Sequence, residues 1–199
     1  MRKTPVKSSV RMAKQERARV TIDVVLNAAA QVLIREGYAR TTTNRIADRA
    51  GVSVGSIYQY FENKEAVLAR LMDREIERVL ARLDSSIDGQ GKSLGEALRG
   101  LLTVAVEAWS YGPVLYRQLE QVPDNALRRR VTEGKSYLTA FIRSLLEAHK
   151  AELRVEDLDV ATFVVINASI GLSTTATPEM YGERLVDATV ELLERYLVA

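Results

Sequence analysis

The chain has 199 residues, 47% of them apolar, which is enough hydrophobic material for one domain or two small ones. It contains no cysteine and a single histidine, His149, which excludes disulfides, thiolate nucleophiles, sulfur-ligated zinc and any histidine-rich metal site. The net charge of +2 conceals a division: residues 1–64 carry 12 Lys/Arg against 5 Asp/Glu and residues 65–199 carry 16 against 21, so a basic module suited to a polyanion is joined to an acidic one.

Arg2, Lys3, Lys7, Arg11 and Lys14 stand in a stretch with no apolar run of the signal-peptide kind. Like charges this close predict a basic flexible arm over residues 1–18, either a solvated tail or an arm that contacts DNA. The most apolar runs, near Leu101–Val106 and Phe163–Leu172, are shorter than the roughly 18 residues needed to cross a bilayer. A cytoplasmic chain with no membrane partner is expected.

Helical periodicity begins near Thr21, where Ile22, Val25, Leu26, Ala29, Val32 and Leu33 trace one apolar face, and stops at Glu36-Gly37, with Gly37 suited to a left-handed cap. The hydroxyls of Thr41, Thr42 and Thr43 can cap a short helix over Thr43–Ala50. Ser53 can cap a third helix with Ile57 and Phe61 inward, and Asn63 a fourth that starts at Lys64. From there Val67, Leu68, Leu71, Met72, Ile76, Val79, Leu80, Leu83 and Ile87 form a stripe long enough to join two modules, up to the Asp88-Gly89-Gln90-Gly91 break. Ser93 and Glu96 have capping-box spacing and open a helix to about Tyr111, which Gly112-Pro113 interrupts. Further helices are predicted over Pro113–Gln121, Asp124–Lys150, Glu156–Thr175 and Pro178–Val198. The fold class is therefore all-α.

Residues 43–62, TNRIADRAGVSVGSIYQYFE, meet the steric demands of a helix-turn-helix. Ala47 supplies the small side chain where the two helices cross, and Gly51, four residues later, tolerates the positive φ of the turn. Ile46, Ala50, Val52, Ile57 and Tyr60 occupy packing positions. The second helix of such a pair leads into the major groove with its N-terminal residues, so Val54, Gly55, Ser56, Tyr58, Gln59 and Tyr60 are candidates to meet DNA. Thr43, Arg45 and Lys64, at flanking helix starts, suit phosphate contacts.

These residues also resemble the DNA-binding region of the TetR family of bacterial transcriptional regulators. The likeness runs from Gly37 to Leu71 through Gly-Tyr, Thr-Xaa-Arg-Ile-Ala, Ala-Gly-Val-Ser, Gly-Ser-Ile-Tyr-Xaa-Tyr-Phe and Asn-Lys-Glu in the family's order and spacing, and is strong over about residues 20–71. The resemblance implies a homodimeric all-helical repressor that a small molecule releases from a palindromic double-stranded operator. It implies DNA contacts at Thr43, Arg45, Ser53 through Ser56, Tyr58 through Tyr60 and Lys64. Gln59 stands where the family varies, so no operator sequence is inherited.

This gives a basic arm over residues 1–18, a helix-turn-helix domain over 19–66, and a ligand-binding and dimerisation domain over 67–199. In the last, Phe163–Leu172 and Leu185–Leu197 are two apolar helices whose pairing with symmetry mates is what the resemblance implies, against closure of the monomer core. A cavity among the middle helices would draw on Trp109, Tyr111, Tyr116, Tyr137, Phe141 and Phe163, with Asn167 or Gln118 orienting the ligand, although each of these residues also suits an ordinary core, cap or surface role. No catalytic constellation, cofactor motif or metal-ligand set is recognisable, and the acids Glu156, Asp157 and Asp159 suit a helix start by dipole alone. An all-helical enzyme and a protein-interaction adaptor are the rival readings, and both predict indifference to DNA.

Overall fold

The computed structural model describes residues 6–87, 92–107, 112–175, 178–180 and 182–198. Among them are nine α-helices: α1 (Val6–Glu36), α2 (Thr43–Ala50), α3 (Val54–Tyr58), α4 (Lys64–Ile87), α5 (Leu94–Glu107), α6 (Gly112–Glu120), α7 (Asn125–Ala148), α8 (Leu158–Thr175) and α9 (Glu183–Leu197). No strand occurs among the described residues, only an isolated antiparallel bridge between Leu153 and Val198. The chain divides into two compact units, residues 1–71 and 72–199.

In the first unit α1 packs on α2 and α2 on α3. Val25, Leu26, Ala29 and Leu33 are buried with Ile46, Ala47, Ile57 and Phe61. The predicted start near Thr21 is too late, because α1 is helical from Val6. Beyond Pro5 the sequence has no proline or glycine until Gly37 and is rich in Ala, Met, Lys, Arg, Gln and Glu, so backbone propensity favours helix over residues 6–18 where charge repulsion suggested a flexible arm. Gly37 has φ 75° as expected, but its ψ of 170° lies outside the left-handed helical basin, in a region almost reserved for glycine. Gly51 has φ 67° and ψ 29°, the left-handed cap that the turn requires, and its N–H donates to the carbonyls of Ala47 and Asp48.

In the second unit α5 packs on α9 and α7 on α8. Leu98, Leu101 and Leu102 meet Ile142 and Leu146 of α7, Ala161 and Val165 of α8, and Val190, Leu193 and Leu197 of α9 in one aliphatic core. The capping box forms at α5: the Glu96 N–H donates to Ser93 Oγ at 3.3 Å, and the Ser93 N–H donates to Glu96 Oε2 at 2.8 Å. The Ser93 N–H and then the Ser93 hydroxyl, which donates to the same Oε2 at 3.1 Å, hold the Glu96 carboxyl below the usual carboxylate range. On α4 the fully buried Glu75 lies 3.3 Å from Arg74 and 3.2 Å from Arg78. Asp73 accepts from Arg130 of α7 at 2.7 Å. The breaks expected at Asp88–Gly91 and near Tyr111 lie outside the described residues. No described helix is long and apolar enough to cross a membrane.

Candidate functional site

The start of the short helix α3 is set by one cap, Ser53. Ser53 Oγ accepts from the Ser56 N–H at 3.0 Å, and the Ser53 and Ser56 hydroxyls share a 2.7 Å hydrogen bond. Both hydroxyls are therefore used locally, which fixes the start of α3 while Gly55 stays exposed and Val54 half-buried. Ile57 points wholly inward, and its neighbours Tyr58, Gln59 and Tyr60 are exposed, Tyr58 by 56%. The phenol of Tyr58 lies 3.3 Å from Thr43 Oγ1, a contact that ties the first residue of α2 to the last of α3.

Thr42, not Thr43, caps α2 by accepting from the Arg45 N–H at 3.2 Å. Thr41 is buried and donates to the Gly37 carbonyl. The exposed Arg45 guanidinium is paired with Glu36 at the end of α1, and Arg49 Nε donates to Gln31 Oε1 at 2.6 Å. Lys64 is half-buried: its ammonium sits 3.9 Å from the centroid of the Tyr38 ring and donates to the Tyr38 carbonyl at 3.3 Å. The Tyr38 phenol donates to Glu65 Oε1 at 2.7 Å, which closes this small network. Spacing identified Arg45 and Lys64 but gave no sign of Glu36 and Tyr38 as their partners, because both partners come from the segment before the motif.

The second unit contains a cavity of about 110 Å³. Helix α4 supplies Met72, Ile76, Val79, Leu80 and Leu83 to its wall, and α5 supplies Leu101, Val104 and Ala105. Val131, Gly134, Lys135, Leu138 and Ile142 of α7 and Ser169 and Ile170 of α8 complete it. Lys135 and Ser169 are the polar side chains among them, and Ser169 Oγ already donates to the Val165 carbonyl at 2.7 Å. Gly134 is helical, and a β-carbon built there would lie 3.4 Å from Ile76 Cδ1, an ordinary van der Waals contact. Glycine at such a site weakens a helix by about 1 kcal/mol relative to alanine.

Among the described residues this wall is aliphatic, and four of the residues expected there stand elsewhere. Phe163 is 67% and Tyr137 44% exposed, Phe141 packs against the core, and Asn167 donates to the Phe163 carbonyl at 2.8 Å; none of the four lines the cavity. The physical reason is that α8 is apolar on two faces: Leu158, Ala161 and Val165 turn inward while Val160 and Phe163 turn out. Tyr116 and Gln118 lie on α6, and Trp109 and Tyr111 lie outside the described residues. His149 Nδ1 is 2.8 Å from Glu152 Oε1 at the end of α7, a local pair with no nucleophile beside it among the described contacts. No group of three or more His, Cys, Asp or Glu that would hold a metal occurs among the described residues.

Residues 25–71 match the model of bacterial regulatory proteins of the tetR family, and residues 93–197 match a tetracyclin repressor-like C-terminal domain. The fatty acid metabolism regulator protein of Bacillus subtilis is 30% identical over 143 residues, covering 68% of this chain and 72% of that protein. Among solved structures, a fatty acid degradation regulator FadR from Bacillus halodurans superposes with a TM-score of 0.75 at 24% identity, covering 87% of this chain and 94% of that one. The Bacillus subtilis FadR in complex with stearoyl-CoA gives 0.73 at 21% identity, covering 85% and 96%.

Proposed function

The chain belongs to the tetR family of bacterial regulatory proteins, which are DNA-binding transcriptional regulators and not enzymes, and from that membership we propose that it is a dimeric repressor released from a palindromic operator by a small molecule carrying an apolar chain. DNA recognition is assigned to residues 19–66, and effector binding and pairing to residues 67–199. Val54, Gly55, Gln59 and Tyr60 face the groove with Tyr58, whose phenol also suits a phosphate. Ser53 acts first as the cap and Ser56 as its hydrogen-bond partner, so their part in binding is to set the helix and offer backbone N–H groups. Thr43, Arg45 and Lys64 hold phosphates, with the guanidinium and ammonium aimed by Glu36 and Tyr38. A protein that works on the chromosome in this way resides in the cytoplasm.

Pairing is assigned to α8 and α9. Phe163, Leu192 and Val160 are 67%, 57% and 52% exposed, apolar groups that a second copy would cover and that the monomer core does not use. Two recognition helices then fall about one turn of DNA apart, or somewhat more, and match a palindrome.

The effector is assigned to the aliphatic cavity. The relative solved with stearoyl-CoA supports an acyl chain as the ligand class, and Lys135 at the wall suits an anionic head. A void of 110 Å³ is smaller than the roughly 150 Å³ that a benzene-sized guest occupies. A long chain must therefore enlarge it, and its binding favours an arrangement with α4 displaced. The observation that carries this reading is α4 itself: one helix begins at Lys64 in the DNA-binding unit and supplies five residues to the cavity wall between Met72 and Leu83. The test is fluorescence anisotropy on DNA from upstream of its own gene. Binding that falls steeply with salt and is reversed by stearoyl-CoA is the expected result; indifference to that DNA at low salt overturns the reading.

A further inference from the structure

We infer that Asp73 and Arg130 form a clamp across the seam between α4 and α7, a bond that opens when an effector enlarges the cavity and so sets how much effector the protein needs. The inference rests on the proposed role of the cavity and names the two residues that oppose its enlargement. Asp73 follows Met72 on α4 and Arg130 precedes Val131 on α7, and both of those neighbours line the cavity. Arg130 Nε donates to Asp73 Oδ1 at 2.7 Å, with the two side chains 34% and 32% exposed, so water screens the pair only in part. One turn farther along each helix Ile76 meets Gly134, where a β-carbon built on the glycine would lie 3.4 Å from Ile76 Cδ1. The two helices are thus held together at successive levels, by a charge-assisted hydrogen bond and by an apolar contact.

A ligand larger than the 110 Å³ void enters only if the wall gives way. Parting α4 from α7 by about 1 Å, with these side chains as they stand, takes the Asp73–Arg130 bond past hydrogen-bond range. The other charge pairs at this level of α4 differ in one respect. Glu75 is fully buried and lies 3.3 Å from Arg74 and 3.2 Å from Arg78, but all three residues belong to α4, so those pairs travel with the helix. Asp73 is bonded to another helix, and moving α4 away from α7 costs that bond. A bond made only in the closed arrangement lowers effector affinity by the factor by which it favours that arrangement. Operator binding by a chain already almost wholly closed scarcely depends on it.

The test titrates full-length wild type, Asp73→Asn, Arg130→Gln, the double variant and the swapped pair Asp73→Arg with Arg130→Asp calorimetrically with stearoyl-CoA, and melts each without it. Asp73→Asn should bind stearoyl-CoA about fivefold more tightly than wild type, the upper range for a partly exposed ion pair, and melt slightly lower. The double variant should match the single ones, because all remove one shared bond, and the swapped pair should return toward wild type. A pair that only stabilised the fold would lower the melting temperature without tightening the effector. Unchanged or weaker stearoyl-CoA binding by Asp73→Asn, or effects that multiply to about twenty-fivefold in the double variant, overturns the inference while leaving the cavity's role intact. Failure of wild type to bind stearoyl-CoA overturns that role and this inference with it.

Discussion

The two units treat empty space in opposite ways. Around α2 and α3 the small and hydroxyl residues serve packing, turn and cap: Ala47 is buried at the helix crossing, Gly51 closes a turn in the left-handed conformation, and the Ser53 and Ser56 hydroxyls satisfy one another and a backbone N–H. Around α4 and α7 a glycine that packing does not require borders a void in an aliphatic wall. The difference teaches that, in the proposed function, the first unit would gain selectivity from a surface whose outward groups are fixed from behind, and the second from what it leaves unfilled.

The largest effect should come from the outer face of α8, where the proposed pairing would make the first unit bivalent. Phe163→Asp should convert the dimer to a monomer in sedimentation velocity and weaken operator binding by about a hundredfold or more through lost avidity. A dimer that survives this change would place the pairing surface elsewhere and remove the distinction between the two faces of α8. Next, the tight turn of the first unit can be strained without touching any contact. Gly51→Ala adds a side chain that meets nothing within 4 Å, so its cost is the left-handed backbone alone, about 1–2 kcal/mol in denaturant unfolding. A neutral result would mean that the turn relaxes and that the first unit is less rigid than its hydrogen bonds imply.

A smaller effect belongs to the second unit's α5. Ser93→Ala should cost about 1 kcal/mol by removing the cap, and it should also change the response to pH. The folded-state pKa of Glu96 is lowered, so its contribution is present above the unfolded carboxylate pKa and is lost as pH falls through the folded value. Thermal melts between about pH 6 and pH 3 should therefore fall less steeply for Glu96→Gln than for wild type, and only slightly less steeply for Ser93→Ala, which keeps the N–H of residue 93 on the carboxylate. Equal slopes would remove Glu96 from the account.

How far each unit could be read from residues alone follows from the same contrast. The helix-turn-helix was legible because its constraints are local and each names a residue type: small at 47, positive φ at 51, a cap at 53, apolar at 57. The Ser93–Glu96 box and most helix boundaries in the second unit were legible for the same reason. The cavity was not, because a void is an absence and Met72, Ile76 and Val79 follow the same pattern whether they pack solidly or line a gap. Phe163 misled for a related reason. Periodicity marks Phe163 as apolar-facing but does not say which of the two apolar faces of α8 turns inward, and the structure turns Phe163 out. At the other end of the chain, the helix over residues 6–18 was missed by weighing charge repulsion above a run of good helix formers.

The central claim is that α3 is presented outward to duplex DNA by α1 and α2. Its most direct test is operator affinity of Tyr58→Ala, measured alongside dimerisation and against wild type at several salt concentrations. The phenol is exposed and touches only Thr43 among its described hydrogen-bond partners, so its removal leaves the fold in place. The account predicts a dimer of unchanged stability whose specific binding falls by about tenfold, the range of one lost groove contact. Undiminished binding by that intact dimer would contradict the assignment of this face to DNA.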